Sequence, residues 1–463
     1  MKHHPTFLSA LFVLFLTAGT ADAWLMKGPY LQNVTNNSIV ISWETDTSEI
    51  GSVEWGETSF LGNKASDTKS VVNHAVTVAG LLPGKTYYYK VTGDQAAGTW
   101  TFATAPEPWQ SFSFAVFGDN RTNEADHRSV VNGIIGEGVP LLLNTGDMVD
   151  YGTLESNWQK FFDIEKELLR STCFFPTIGN HEITIDILLV NYKKYFTVPE
   201  SKEGGKAYYS FDYGNTHFAD LNTNDALSFS TMKTWLEADL KAASLRPGIQ
   251  HIFTVMHHGP YSAANHGDNA KVKSDIVPIL KKYNVQMTFA GHDHDYERGE
   301  VDGLRYMVAG GGGAPLYSAG TQAGTIYSEK TLAYSVFTVN GGRVDGCTKK
   351  PDGTVIECFG WGDLPPPDAG MPDSGTADSG TADGSTPDGG IADASMVDAA
   401  AADAAAADAA KDSDTGMDSG TVADSSTPTD AGAPDASVPS DAATDSGGPD
   451  NLPAGCSCSS IGL

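Results

Sequence analysis

Basic residues are scarce: 29 Lys and Arg stand against 58 Asp and Glu, a formal charge of −29 over 463 residues. Such a balance gives no electrostatic footprint for a phosphate backbone, so no specific nucleic acid partner is expected. Cysteine is scarcer still, with five residues, and none has zinc-cluster spacing. The apolar stretch Phe7 to Ala18 is shorter than the roughly 20 residues that span a bilayer. Glycines 310 to 313 lack a following Gly-Lys-Ser or Gly-Lys-Thr, which removes a phosphate loop and leaves a tight turn where backbone passes close to its neighbours.

Apolar residues almost vanish beyond Asp363, where aspartates recur every five residues up to Asp408 among Ala, Gly, Ser, Thr and Pro. Nineteen aspartates against Lys411 give this tail 18 of the 29 net negative charges. Residues 363–454 therefore read as a disordered linker, since they bury too little to offset chain entropy. Fully stretched it would reach roughly 300 Å, which suits a stalk at a cell surface; a solubilising tail is the plainer reading. A calcium-binding array would need a nine-residue, Gly-rich period.

At the other end, Lys2, the apolar core Phe7 to Ala18 and the Ala21-Asp22-Ala23 cleavage pattern mark residues 1–23 as a signal peptide. The expected location is secreted or at the extracellular surface. Residues 24–106 read as an all-β module: Ile39, Ile41 and Trp43 alternate with smaller or polar residues. After the Leu82-Pro83-Gly84 turn, Tyr87, Tyr89 and Val91 alternate again. Export also permits a disulfide between Cys347 and Cys358, which flank the Lys350-Pro351-Asp352-Gly353 turn of a hairpin over 346–362. Cys173 reads as a buried free thiol.

Between these regions, five blocks carry metal-ligand chemistry: Gly118-Asp119-Asn120-Arg121, Gly146-Asp147-Met148-Val149-Asp150, Gly179-Asn180-His181-Glu182, Val255-Met256-His257-His258 and Gly291-His292-Asp293-His294. Each follows a short apolar run with strand character: Phe112 to Phe117, Leu141 to Leu143, Phe174 to Ile178, Ile252 to Val255 and Val285 to Phe289. The ligands thus converge on one edge of a sheet. Amphipathic helices alternate with these runs, one with Val130, Val131, Ile134 and Ile135 on one face, another over Val272 to Tyr283 that Pro278 kinks or starts late. The expected architecture is α+β and multidomain, with a β-sandwich first.

Carboxylates that bridge two cations, imidazoles and an amide oxygen are what a pair of metals about 3.5 to 4 Å apart requires to hydrolyse a phosphate ester. These blocks resemble those of the calcineurin-like metallophosphoesterases. The surrounding sequence resembles the purple acid phosphatase branch, and Gly80 to Tyr87 resembles a fibronectin type III domain. The resemblance implies a four-layer α/β/β/α domain over residues 110–345 and two metal ions, Fe, Zn or Mn. It places Asp119 and His294 on one metal, Asp147 as the bridge, and Asn180, His257 and His292 on the second. It implies His181, and His266 less directly, as phosphate contacts that assist the leaving group. His258 reads as a neighbour of the ligands.

One departure stands out. The branch carries Gly-Asp-x-x-Tyr, whose tyrosinate gives the colour, whereas here Asp150 holds that position and Tyr151 follows. A shift of one residue on a strand-like segment reverses a side chain's direction, so Tyr151 is not expected to substitute. Asp150 becomes an additional candidate ligand and Arg121 a candidate contact for metal site or phosphate. Residues 455–463 begin with Gly-Cys-Ser-Cys and resemble the start of certain bacterial carboxyl-terminal sorting signals, consistent with envelope anchoring.

The sequence therefore points to an exported phosphatase of phosphate monoesters working through a dinuclear metal-bound hydroxide. The alternatives are a phosphodiesterase on nucleotides or lipid head groups, and an inactive surface-binding protein on the same scaffold.

Overall fold

Parallel strands bring their carboxyl ends to one edge, and here that geometry places the five ligand blocks together. The structure, a computed structural model, describes residues 23–94, 98–224 and 229–364. The leader before Ala23, the acidic repeat beyond Leu364 and the terminal Gly-Cys-Ser-Cys segment lie outside the described residues.

Three strands, Phe112–Phe117, Leu141–Asn144 and Cys173–Pro176, run parallel at the centre of a nine-stranded sheet. A seven-stranded sheet holds His251–His258 and Met287–Gly291, also parallel to each other. All five strands match the apolar runs to within a few residues.

The two sheets face each other through aromatic side chains. Phe114 and Phe337 of the first meet Phe289 of the second with ring centroids 6.0 and 5.1 Å apart, and Phe175 stacks on Phe211 at 3.7 Å. Such rings bury large apolar area, and this interior is the molecule's main core. Helices Glu124–Glu137 and Glu155–Leu169 lie over the nine-stranded sheet, while Phe229–Ser244 packs Leu236 and Leu240 onto the other sheet beside Met256 and Ala219. Mixed sheets in the middle with a few helices outside are the result.

Local sequence accounts for the helix ends. Asn123 caps the first helix by accepting from the amides of Ala125 and Asp126, and Gly138 ends it at φ 63°. Val130, Val131 and Ile134 are buried, but Ile135 is 41% exposed. Its place on the expected apolar face fails because it lies five residues, about 140° of helix turn, from Val130. Near Pro278 the chain forms a π-turn over Val272–Ile276 before an α-helix over Val277–Lys282. Proline has no amide to donate, and the widened turn absorbs the gap.

The expected boundaries at 106 and 345 do not separate sheets. Strand Leu25–Gln32 runs parallel to Cys173–Pro176, with Leu31 opposite Cys173, so Leu25–Gln32, Ser38–Glu49 and Val71–Ala79 extend the nine-stranded sheet. The other amino-terminal strands form a separate four-stranded sheet. The junction is stitched by Tyr89 donating to the Arg170 carbonyl at 2.8 Å and by the Arg170 guanidinium 4.2 Å over Trp100. At the far edge, Tyr334–Asn340, Arg343–Lys349 and Val355–Trp361 continue the same sheet, with Cys347 opposite and bonded to Cys358. Pairing covers the edges of the three central strands and moves the sheet's ends out to Val71–Ala79 and Val355–Trp361, which alternation alone cannot reveal. Cys173 is free and buried, and burial pushes its thiol up to about 12.

Candidate metal centre

Asp119, Asp147 and His292 each follow a strand and each adopts a left-handed backbone, at φ 55°, 56° and 73°. Residues with side chains rarely sit there, and such positions gather at functional sites. The turn places the side chain back over the sheet edge. Glycines clear the space: a Cβ at Gly179 would collide with the Asp147 carboxylate, and one at Gly291 with that of Asp119.

Two groups of donors result among the described residues. Asp119, Asp147 and His294 have ligand atoms within 4.8 Å of one another, and so do His257, His258 and His292. Asp147 joins them, with Oδ1 3.4 Å from His257 Nε2. Asn180 is brought in as expected by position, its Oδ1 2.9 Å from the same nitrogen. His258, read from sequence as a neighbour, stands in the second group with its ring 4.3 Å from that of His292.

The imidazoles are oriented for a cation. His257 donates Nδ1–H to the Thr145 carbonyl at 2.9 Å, and His294 donates to Pro315 at 2.8 Å. A carbonyl only accepts, so in the neutral ring Nε2 keeps its lone pair. Burial lowers both histidines, His294 to about 4, and so favours that neutral form. Those lone pairs face carboxylate oxygens, Asp147 for His257 and, at 3.6 Å, Asp119 for His294. Acceptor facing acceptor is repulsive unless a positive charge lies between, and imidazoles fixed by backbone carbonyls are how proteins orient metal ligands. Burial first, then the charge of Asp147, pushes Asp119 well up. Burial would also raise Asp147, but positive charge beside it, with the Arg121 guanidinium 3.3 Å away, holds it low. A cation beside both carboxylates removes the penalty. The donor set fits two metal ions.

The other sequence candidates also fall here. His181 donates Nδ1–H to the Asp150 carbonyl at 2.7 Å and holds Nε2 3.8 Å from Asp147 Oδ2. His266 stacks on His292 at 4.1 Å. Arg121 reaches Asp147 Oδ2 with Nε at 3.3 Å and Asp150 with Nη1 at 3.5 Å. The Asp150 carboxylate therefore faces Arg121 and Thr122 and stands outside both donor groups, which differs from its reading as an added ligand. Tyr151 is 41% exposed.

Sequence reasoning missed three supports. Glu182, fully buried, accepts from the amides of Asp147, Met148, Val149 and Gly179. Burial and the Asp147 charge push it up to about 8. Thr223 accepts from the His258 amide at 2.9 Å. Tyr317 stacks on His294 at 4.1 Å and meets His266 edge-on. Glu182 was visible as the fourth residue of its block; Thr223 and Tyr317 carry no motif. The glycine turn before Tyr317 does run against the site, with Gly312 and Ala314 donating to the carbonyls of Gly118 and Asp119.

The model of the calcineurin-like phosphoesterase family matches residues 112–296. These residues are a calcineurin-like phosphoesterase domain. The phosphoesterase domain and its flanks are similar to a Mycobacterium tuberculosis protein named only as uncharacterized, 28% identical over 336 residues, 60% of this chain and 63% of that one. Purple acid phosphatase 21 of Arabidopsis thaliana is 29% identical over 302 residues, covering 59% of this chain and 68% of that one. A solved purple acid phosphatase from yellow lupin (Lupinus luteus) seeds shares the phosphoesterase fold at a TM-score of 0.61 and 19% identity, over 73% of this chain and 74% of that one. The chain spans slightly less than two thirds of the first curated relatives, at 63% of their length. Fold and sequence thus make the chain similar to purple acid phosphatases around a calcineurin-like phosphoesterase domain.

Proposed function

We propose that the protein is an exported phosphatase that hydrolyses phosphate monoesters at a centre of two metal ions. The observation that carries this reading is the pair of donor groups joined at Asp147. One cation is assigned to Asp119, Asp147 and His294, the other to Asp147, Asn180, His257 and His292. Carboxylate, imidazole and amide donors suit Fe, Zn or Mn. When bound, the ions supply an activated water and neutralise charge on the phosphoryl oxygens.

The chain's own residues do the rest. Arg121, at the mouth of the site, offers a planar fork to the phosphate. His181, fixed through Nδ1, turns Nε2 toward the reacting region and, in its doubly protonated form, gives the Nε2 proton to the departing alcohol oxygen. His266, held against His292, contacts the phosphate from the opposite loop. The amino-terminal strands are assigned to a fibronectin type III-like module and residues 1–23 to a cleaved leader. The acidic tail is assigned to a stalk.

The test is turnover of monoester and diester substrates by the metal-loaded protein, with Asp147→Ala and His292→Ala alongside. Each variant is expected to lose about 100- to 1,000-fold in kcat, the scale at which one electrostatic partner of a transition state matters. Intact activity in either removes the proposed centre. A preference for diesters keeps the centre and removes the monoester assignment.

A further inference from the structure

Seventeen large apolar side chains are well exposed among the described residues, and they are not scattered evenly. Ile185, Ile187, Leu188 and Val190 are 81, 52, 70 and 61% exposed within six consecutive positions, and Tyr151 and Leu154 add 41 and 47%. The two segments are tied together. Gly152 donates to the His181 carbonyl at 3.0 Å, and Asn191 Nδ2 donates to the Gly152 carbonyl at 2.9 Å. Isolated exposed Leu or Ile residues carry no message, but a contiguous apolar patch marks a binding surface.

The exposure is built in. Asp186 is buried and accepts from the amides of Val190 and Asn191, and Leu189 is buried beside it. With those two turned inward, the loop holds its other apolar side chains outward.

What covers the patch follows from its place in the chain. It begins four residues after His181, the group assigned to the departing oxygen, and its second segment begins one residue after Asp150, whose carbonyl fixes the His181 ring. Four residues span at most about 15 Å. The carbons of an alcohol whose oxygen is held at His181 therefore start within about 15 Å of this surface, a span an extended chain can cover.

We infer that the loop Ile183 to Val190, with Tyr151 and Leu154, binds the alcohol part of the substrate, and that this part is an extended apolar chain. The inference rests on the proposed phosphatase reading and adds the substrate class: phosphate monoesters of apolar alcohols. No covalent chemistry is added; burial of methylenes against the patch favours long esters over short ones.

The test uses the full, metal-loaded chain on ethyl, butyl, hexyl and octyl phosphate, each below its aggregation concentration. The same series is run on a variant carrying Ile185→Asn and Leu188→Ser. Asparagine is chosen because position 185 has φ 66°, a conformation it tolerates. In the wild type kcat/KM is expected to rise about twofold or more per methylene, about 60-fold or more between ethyl and octyl. The variant is expected to lose at least about tenfold of that octyl-to-ethyl ratio. A flat series with good ethyl phosphate turnover overturns this inference and leaves the phosphatase reading standing. Folded, metal-loaded protein that turns over none of the esters overturns the phosphatase reading and this inference with it. A flat series accompanied by a halved molecular mass in the variant assigns the patch to contact between copies of the chain, which also overturns it.

Discussion

The buried carboxylate of Glu182 accepts a hydrogen bond from the backbone amide of Asp147 at 2.9 Å, across 35 positions of sequence. The same carboxylate takes the amide of Gly179 at 2.7 Å, so one side chain sets the spacing between the bridging aspartate and the Asn180 segment. Glu182→Gln keeps the size but replaces one accepting oxygen with a donor that faces amides. Metal affinity is expected to fall about 10- to 100-fold, the usual scale for groups that orient ligands. Chelator competition measures it, and unchanged affinity in a folded variant would remove Glu182 from the account.

Tyr151 provides a second check. Its exposed ring and the Asp150 carboxylate turned to Arg121 leave the centre without a phenolate donor from this segment. The metal-loaded protein is expected to lack an intense visible band, and Tyr151→Phe to leave metal content unchanged. A purple protein that bleaches on this substitution contradicts the geometry.

Away from the site, His217 bonds Asp212 at 2.7 Å and Asp239 at 2.9 Å, joining a strand to helix Phe229–Ser244. Burial alone would lower this histidine, but the two carboxylates outweigh it and its pKa is raised. A raised folded pKa favours the protonated form in the native state. Its contribution is therefore full below the unfolded value of about 6.5 and is lost as pH rises through the folded value. Thermal melts across that window should show a decline that His217→Gln flattens. An equal decline in both proteins assigns the pH dependence to other groups.

Cys347 and Cys358 close an eleven-residue separation at the sheet edge. Replacing both with alanine is expected to cost about 2 to 3 kcal/mol on the loop-entropy model. Denaturant unfolding of the two proteins reads the difference, and equal midpoints would show that the edge hairpin holds without the bond.

Much of the site was legible in the sequence because metal ligation restricts residue type severely and strand ends fix where ligands fall. Asp119, Asp147, Asn180, His257, His292 and His294 stand out as donor types at strand ends, and their division between two metals came from the family resemblance. Thr223 and Tyr317 act through geometry that several residue types can supply, so they carry no signature, while Glu182 stood in its block with nothing to show which amides it accepts from. The sheets were harder. Alternation marked Ile39, Ile41 and Trp43 as strand residues, but pairing of Leu31 with Cys173 is a long-range choice that no local pattern encodes. The shift of Ile135 to the surface has the same origin: which helix face is buried depends on what lies beneath it.

The central claim is that two cations share Asp147. Its most direct test is elemental analysis of the purified, metal-loaded protein beside Asp147→Ala, with bound metal counted per chain. About two ions in the wild type, and clearly fewer in the variant, is the result this account predicts. One ion or none in the wild type, or two in both proteins, contradicts it.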